Sequence, residues 1–111
     1  MKRVYVAGAY SADNVIAVLD NMREGMRWST KVLLAGHAPF SPWLDFHFQL
    51  MLRDGERLLV EDYYQYSLAW LRASDVVFVI PGHERSKGTK AEVAEAHRLG
   101  IPVVYSIEEI T

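Results

Sequence analysis

Residues 75–104, "DVVFVIPGHERSKGTKAEVAEAHRLGIPVV", contain a strand, a helix and a second strand in succession, and this unit decides the fold. From Val76 to Ile80 the chain is β-branched and aromatic with no polar interruption, the pattern of a strand covered on both faces, so a strand is expected over 75–80. Pro81-Gly82 closes it, and the loop "HERSKG" leads into an alanine-rich helix that runs to Leu99. Gly100 stops that helix, and "IPVVYS" at 101–106 reads as the next strand. Two such strands joined by one helix lie parallel through a right-handed crossover.

The rest of the chain repeats the alternation. "RVYVAG" at 3–8 is a second doubly covered strand. Val15, Val18, Leu19, Met22, Met26, Leu33 and Leu34 recur close to helical spacing over 14–35, where Gly36 provides a stop. Residues 38–41, "APFS", make a short strand ended by Pro42, and "WLDFHFQLMLRDGE" (43–56) fits neither period, so it reads as a loop with a helical turn. A further helix is expected from about Glu56 to Ala73, with Leu59, Tyr63, Tyr66 and Trp70 on its apolar stripe and Leu68 and Leu71 beside them. The order implies an α/β fold, one domain over 1–111. It is a small doubly wound, flavodoxin- or Rossmann-like parallel sheet of about four strands in the order 2-1-3-4, with helices on both faces.

Composition narrows what such a domain does. Half of the 111 residues are hydrophobic and 23% are charged, an ordinary globular balance. A net charge of −2 without a basic run argues against binding a nucleic-acid polymer and points to a small ligand. There is no cysteine, which excludes disulfides, thiol catalysis and cysteine-held metals and fits the reducing cytoplasm. The opening "MKRVYVAGAYSADN" reads as a first strand rather than a signal peptide, and no run reaches membrane-spanning length. His37, His47, His83 and His97 lack a ligand spacing, so neither a metal nor another cofactor is expected.

In a 2-1-3-4 sheet the crevice lies beyond strands one and three, which brings the loops 8–14 and 81–88 together. Both carry glycine and hydroxyls, and the second enters a helix whose first amides are open to an anion. Neither loop is a Walker or a GxGxxG sequence. Glu92 then has two readings. "TKAE", Thr89 to Glu92, matches a capping box, in which Glu92 bonds back to the Thr89 amide. Alternatively its carboxylate faces the crevice as a nucleophile.

The stretches "VYVAGAYS" (4–11), "GHAPFSPWL" (36–44) and residues 67–104 together resemble the nucleoside 2-deoxyribosyltransferase-like superfamily, in particular its small phage and bacterial branch, related to deoxynucleoside-monophosphate N-glycosidases. The most specific part is Ser86-x-Gly88-x-x-x-Glu92, followed by Ala96 and Gly100-x-Pro102. The resemblance implies cleavage or transfer of the N-glycosidic bond of a nucleoside or its 5′-monophosphate, with Glu92 as nucleophile and a covalent glycosyl intermediate. It implies that Tyr5 or Tyr10 orients that carboxylate, that Gly8 lets the chain pass close to the sugar, that Ser86 meets a 5′-phosphate, and that Trp43 lies beside the substrate. Ser11, Ser67, Lys87 and Gly88 complete the expected binding set. A homo-oligomer is implied as well, in keeping with two open sheet edges and many aromatic residues.

Two residues depart from the superfamily pattern. Active relatives carry an aspartate where this chain has Ser67, and the transferases often carry one where it has Lys87. Asp62, Asp45 and His83 are the alternative proton donors. The loss at Ser67 also keeps open a second reading, a catalytically inactive nucleotide-binding or sensing module of the same fold. Trp43, Phe46, Phe48, Tyr63, Tyr64 and Tyr66 have the shape to stack on a base or to fill a core or interface.

Overall fold

The computed structural model describes residues 1–111. Four parallel strands, β1 (Arg3–Ala7), β2 (Ala38–Phe40), β3 (Val76–Val79) and β4 (Val103–Val104), form one sheet in the order β2-β1-β3-β4. Tyr5 of β1 stands opposite Phe40 on one side and Val77 on the other, which fixes the register. The helices are α1 (Val15–Leu34), α2 (Phe46–Leu50), α3 (Val60–Arg72) and α4 (Lys87–Leu99). A 3₁₀ turn, Pro42–Asp45, joins β2 to α2. The expected order of elements and the expected sheet are both present. No helix is long and apolar enough to cross a membrane.

Strand alternation builds a core on each face. Val4, Val6, Val76, Phe78 and Ile80 pack with Met22 and Val32 of α1 and with Trp43. Tyr5, Ala7, Val77 and Val79 face the other way, against Leu71 of α3 and Ala96 of α4. The central strands are buried on both faces, and this is why they read as unbroken apolar runs. Asp75, just before β3, has a structural task. Its carboxylate accepts from the Arg3 amide at 2.7 Å and pairs with the Arg3 guanidinium at 3.0 Å, tying the start of β3 to β1.

Three local expectations are corrected. The helix expected from Glu56 begins at Val60, because Asp62 turns back to accept the Leu59 amide at 2.7 Å and fixes the start there. Leu59 and Trp70 are more than half exposed, while Tyr63, Tyr66, Leu68 and Leu71 of the expected stripe lie on the less exposed side of α3, joined by Ser67. Second, α4 starts at Lys87, with Ser86 and not Thr89 as its cap: Ser86 Oγ accepts from the Thr89 amide at 3.1 Å. Third, the closing strand is shortened from 101–106 to Val103–Val104, since Pro102 offers no amide and the chain turns into a 3₁₀ segment at Ile107.

Candidate active site

A cavity of about 660 Å³ opens at the carboxyl ends of the strands, walled by the connection after β1, the 3₁₀ turn after β2, α2, α3 and the first turns of α4. Gly8, Tyr10, Ser11, Trp43, Ser67, Ser86, Lys87, Gly88 and Glu92 all line it. Tyr5 reaches it from below through Glu92. Residues from four separate stretches of sequence therefore meet in one place. Two β-α connections are pinned together here by His83, whose Nδ1 accepts the Ala9 amide at 2.8 Å while Nε2 meets Glu24 of α1 at 3.1 Å.

Glu92 does not close a capping box. It is the sixth residue of α4, too far along for its side chain to serve the Thr89 amide, which Ser86 already satisfies. Its Oε2 instead accepts the Tyr5 hydroxyl. Burial pushes the Glu92 carboxyl up to about 7, and the Tyr5 hydrogen bond pulls in the opposite direction. The Tyr5 phenol is raised well above its ordinary range, by its own burial first and then by the charge of Glu92, with the Ser67 hydroxyl partly offsetting this. At neutral pH such a carboxyl is divided between its two forms, and its oxygen is poorly hydrated, the state in which a carboxylate is a competent nucleophile.

Tyr10 has a different partner from the one expected. It belongs to the connection beyond β1, outside the strand alternation that aims Tyr5 at α4, and its hydroxyl donates to Asp45 Oδ1 at 2.8 Å. Asp45 ends the 3₁₀ turn, is only 8% exposed and lines the cavity. Burial raises its pKa, against the effect of the Tyr10 hydrogen bond. The other alternative donors fall outside: Asp62 is occupied at the start of α3, and neither it nor His83 lines the cavity.

Gly8 serves the protein's own packing as well as the cavity wall. A Cβ there would stand 2.8 Å from Ile80, 2.9 Å from His83 and 3.0 Å from Trp43. Trp43 is almost wholly buried, and its Nε1 donates to the Ala9 carbonyl at 3.0 Å, so it shapes the loop under the cavity. Ser86 is engaged in capping and also donates to Thr89 Oγ1 at 2.8 Å. Lys87, one residue on, is exposed at the cavity edge.

The cavity also gathers Phe46, Tyr63 and Tyr64, three of the aromatics named for stacking or core filling, together with Gln49 and Val60, which the sequence patterns did not single out. Tyr63 donates to Gln49 at 2.6 Å and so joins α3 to α2 over the opening. The density of aromatics in 43–66 was the available signal, but no period separated cavity residues from core residues.

This arrangement defines an α/β domain with a strand-end cavity holding two carboxyls. Among solved structures it is similar to a 2-deoxyribosyltransferase from the psychrotolerant bacterium Bacillus psychrosaccharolyticus, described as a biocatalyst for nucleoside synthesis. The likeness covers 92% of this chain and 70% of that one, with a TM-score of 0.58 and 20% identity, and it establishes a shared fold. No curated protein matches the chain. Residues 2–106 match the family described as a domain of unknown function, DUF7768, and the chain belongs to that family.

Proposed function

We propose that this protein cleaves or transfers the N-glycosidic bond of a (deoxy)nucleoside or its 5′-monophosphate, with Glu92 as the nucleophile. The observation that carries this reading is the Glu92 carboxyl itself, held by Tyr5 at the wall of a nucleoside-sized cavity rather than folded onto its own helix. In the ionised form, a Glu92 oxygen attacks C1′ as the base departs, leaving a glycosyl ester. Water or a second base then takes C1′ from the vacated face, and the configuration is retained overall. Tyr5 holds the carboxylate in one orientation through both steps.

Tyr63, Tyr64 and Phe46 supply aromatic surface for the base. The exposed Lys87 and the opening amides of α4 favour a phosphorylated substrate at the opposite end. The reading includes a homo-oligomer: Leu50, Met51, Leu59 and Val60 are exposed beside the opening. Sedimentation checks that part.

The deciding experiment incubates the protein with a panel of nucleosides and their 5′-monophosphates and follows free base by chromatography, with Glu92→Gln alongside. The reading requires release by the unaltered protein and its loss in a variant of comparable melting temperature. Because Ser67 stands where active relatives hold an acid, the second reading is a binding or sensing module. Ligand-dependent stabilisation without release supports that one instead.

A further inference from the structure

We propose that Asp45 is the general acid that protonates the departing base, the task for which Ser67 has no suitable proton; this rests on the N-glycosidic reading above. Asp45 and Glu92 are the two carboxyl residues that line the cavity. They arrive from opposite sides of β1, Asp45 after β2 and Glu92 on the helix after β3. Displacement at C1′ needs that separation, because the nucleophile and the leaving base occupy opposite faces of the sugar.

The carboxyl is also held as a proton donor should be. Tyr10 engages Oδ1 at 2.8 Å, while Oδ2 makes no hydrogen bond within the protein, and Asp45 lines the cavity. With 8% of the residue exposed, the charged form is poorly solvated, which raises the pKa of Asp45 against the pull of the Tyr10 hydrogen bond. The titratable groups facing Asp45 are Tyr10, from the connection after β1, and Tyr63, from α3, and both phenols are shifted upward from their ordinary value. Glu92 and Lys87 share the cavity.

In the first step the C1′–O bond to Glu92 forms as the C1′–N bond breaks. The electron pair of that bond goes to the base nitrogen, which takes the proton from Asp45. In the second step the Asp45 carboxylate removes a proton from the attacking water as its oxygen bonds C1′ and Glu92 leaves as carboxylate. An incoming base gives up its proton in the same way, and the acid is restored.

The test measures kcat/KM, which reports the step in which the base leaves and not the Asp45-assisted return, for Asp45→Asn over substrates of differing leaving-group acidity: the nucleosides cleaved best, an N7-methylated purine nucleoside, and 4-nitrophenyl 2-deoxyriboside. We expect a loss on the order of 100-fold or more on ordinary nucleosides, shrinking steadily as the leaving group needs its proton less. Glu92→Gln loses all of them alike. Melting temperature is read for each variant. The unaltered protein gives a second reading that does not depend on a variant's folding: its kcat/KM on ordinary nucleosides falls on the alkaline side of the pH profile, and its kcat/KM on the nitrophenyl substrate does not. An equal loss on every substrate, no loss, or matching alkaline limbs overturns the role of Asp45 and leaves the glycosidic reading standing. No release from any substrate by the unaltered protein overturns both.

Discussion

Tyr5 and Glu92, 87 residues apart in the chain, are joined by a hydrogen bond in which the phenol donates to the carboxylate. Tyr5 is fully buried in the middle of β1 and stacks on Phe40 at 5.5 Å, so the donor cannot swing away. Glu92 lies on a helix whose first turn is fixed by Ser86 and whose middle is fixed by Glu95, which bridges Arg72 of α3 at 3.0 Å and Arg98 at 2.7 Å. Strand and helix together hold Glu92 at the cavity wall.

Removing the phenol while keeping the ring tests that relationship. Tyr5→Phe is expected to cost about 1 kcal/mol of stability, read by denaturant unfolding. Since the Tyr5 bond draws the Glu92 pKa down, its loss moves the acidic limb of base release to higher pH and lowers kcat more than it raises KM.

A carboxyl raised to about 7 also leaves a mark on folding. The native protein holds a proton that the unfolded chain releases near the ordinary value of 4.5, so the resulting stability is complete below about 4.5 and is lost as pH rises through 7. The loss is on the order of 3 kcal/mol. Unfolding free energies measured between pH 4 and 8 are expected to show this fall, and Glu92→Gln, which keeps an acceptor for Tyr5 without the charge, is expected to flatten it.

Ser86 separates a structural duty from a binding one. Its hydroxyl accepts from the Thr89 amide, so Ser86→Ala is expected to lower stability by about 1 kcal/mol with no ligand present. An unchanged melting temperature would remove the capping role and leave only a contact to substrate.

Gly25 is a sharper case. A Cβ at this position in α1 would stand 2.2–2.4 Å from the Trp43 ring, which is buried and held by Ala9. Gly→Ala inside a helix ordinarily stabilises. Here Gly25→Ala is expected to destabilise by about 3 kcal/mol, roughly 10 °C or more in Tm, and to distort the cavity wall that Trp43 supports. Calorimetry of the variant gives the sign directly.

The sheet was legible because Val4, Val6, Val76 and Phe78 are buried on one face while Tyr5, Ala7, Val77 and Val79 are buried on the other, leaving continuous apolar runs. The meeting of Glu92 with the loop after β1 was legible too, as a consequence of strand order. The start of α4 was not, since Ser86 and Thr89 are both acceptable caps and only the backbone decides between them. Nor was the pairing of Tyr10 with Asp45, a contact over 35 residues made by a 3₁₀ turn with no periodic signature. The hydrophobic density around Leu59 concealed the true start of α3 for a similar reason: the local bond from its amide to Asp62 outweighs burial there.

The most direct measurement is mass spectrometry of the protein quenched with acid during turnover of a cleaved nucleoside or monophosphate, followed by proteolysis. One added glycosyl group is expected, lost with time and mapped to the peptide bearing Glu92, with neither adduct nor free base from Glu92→Gln. Base release that persists in Glu92→Gln, or a glycosyl group mapped to any other residue, would contradict the role of Glu92 as nucleophile.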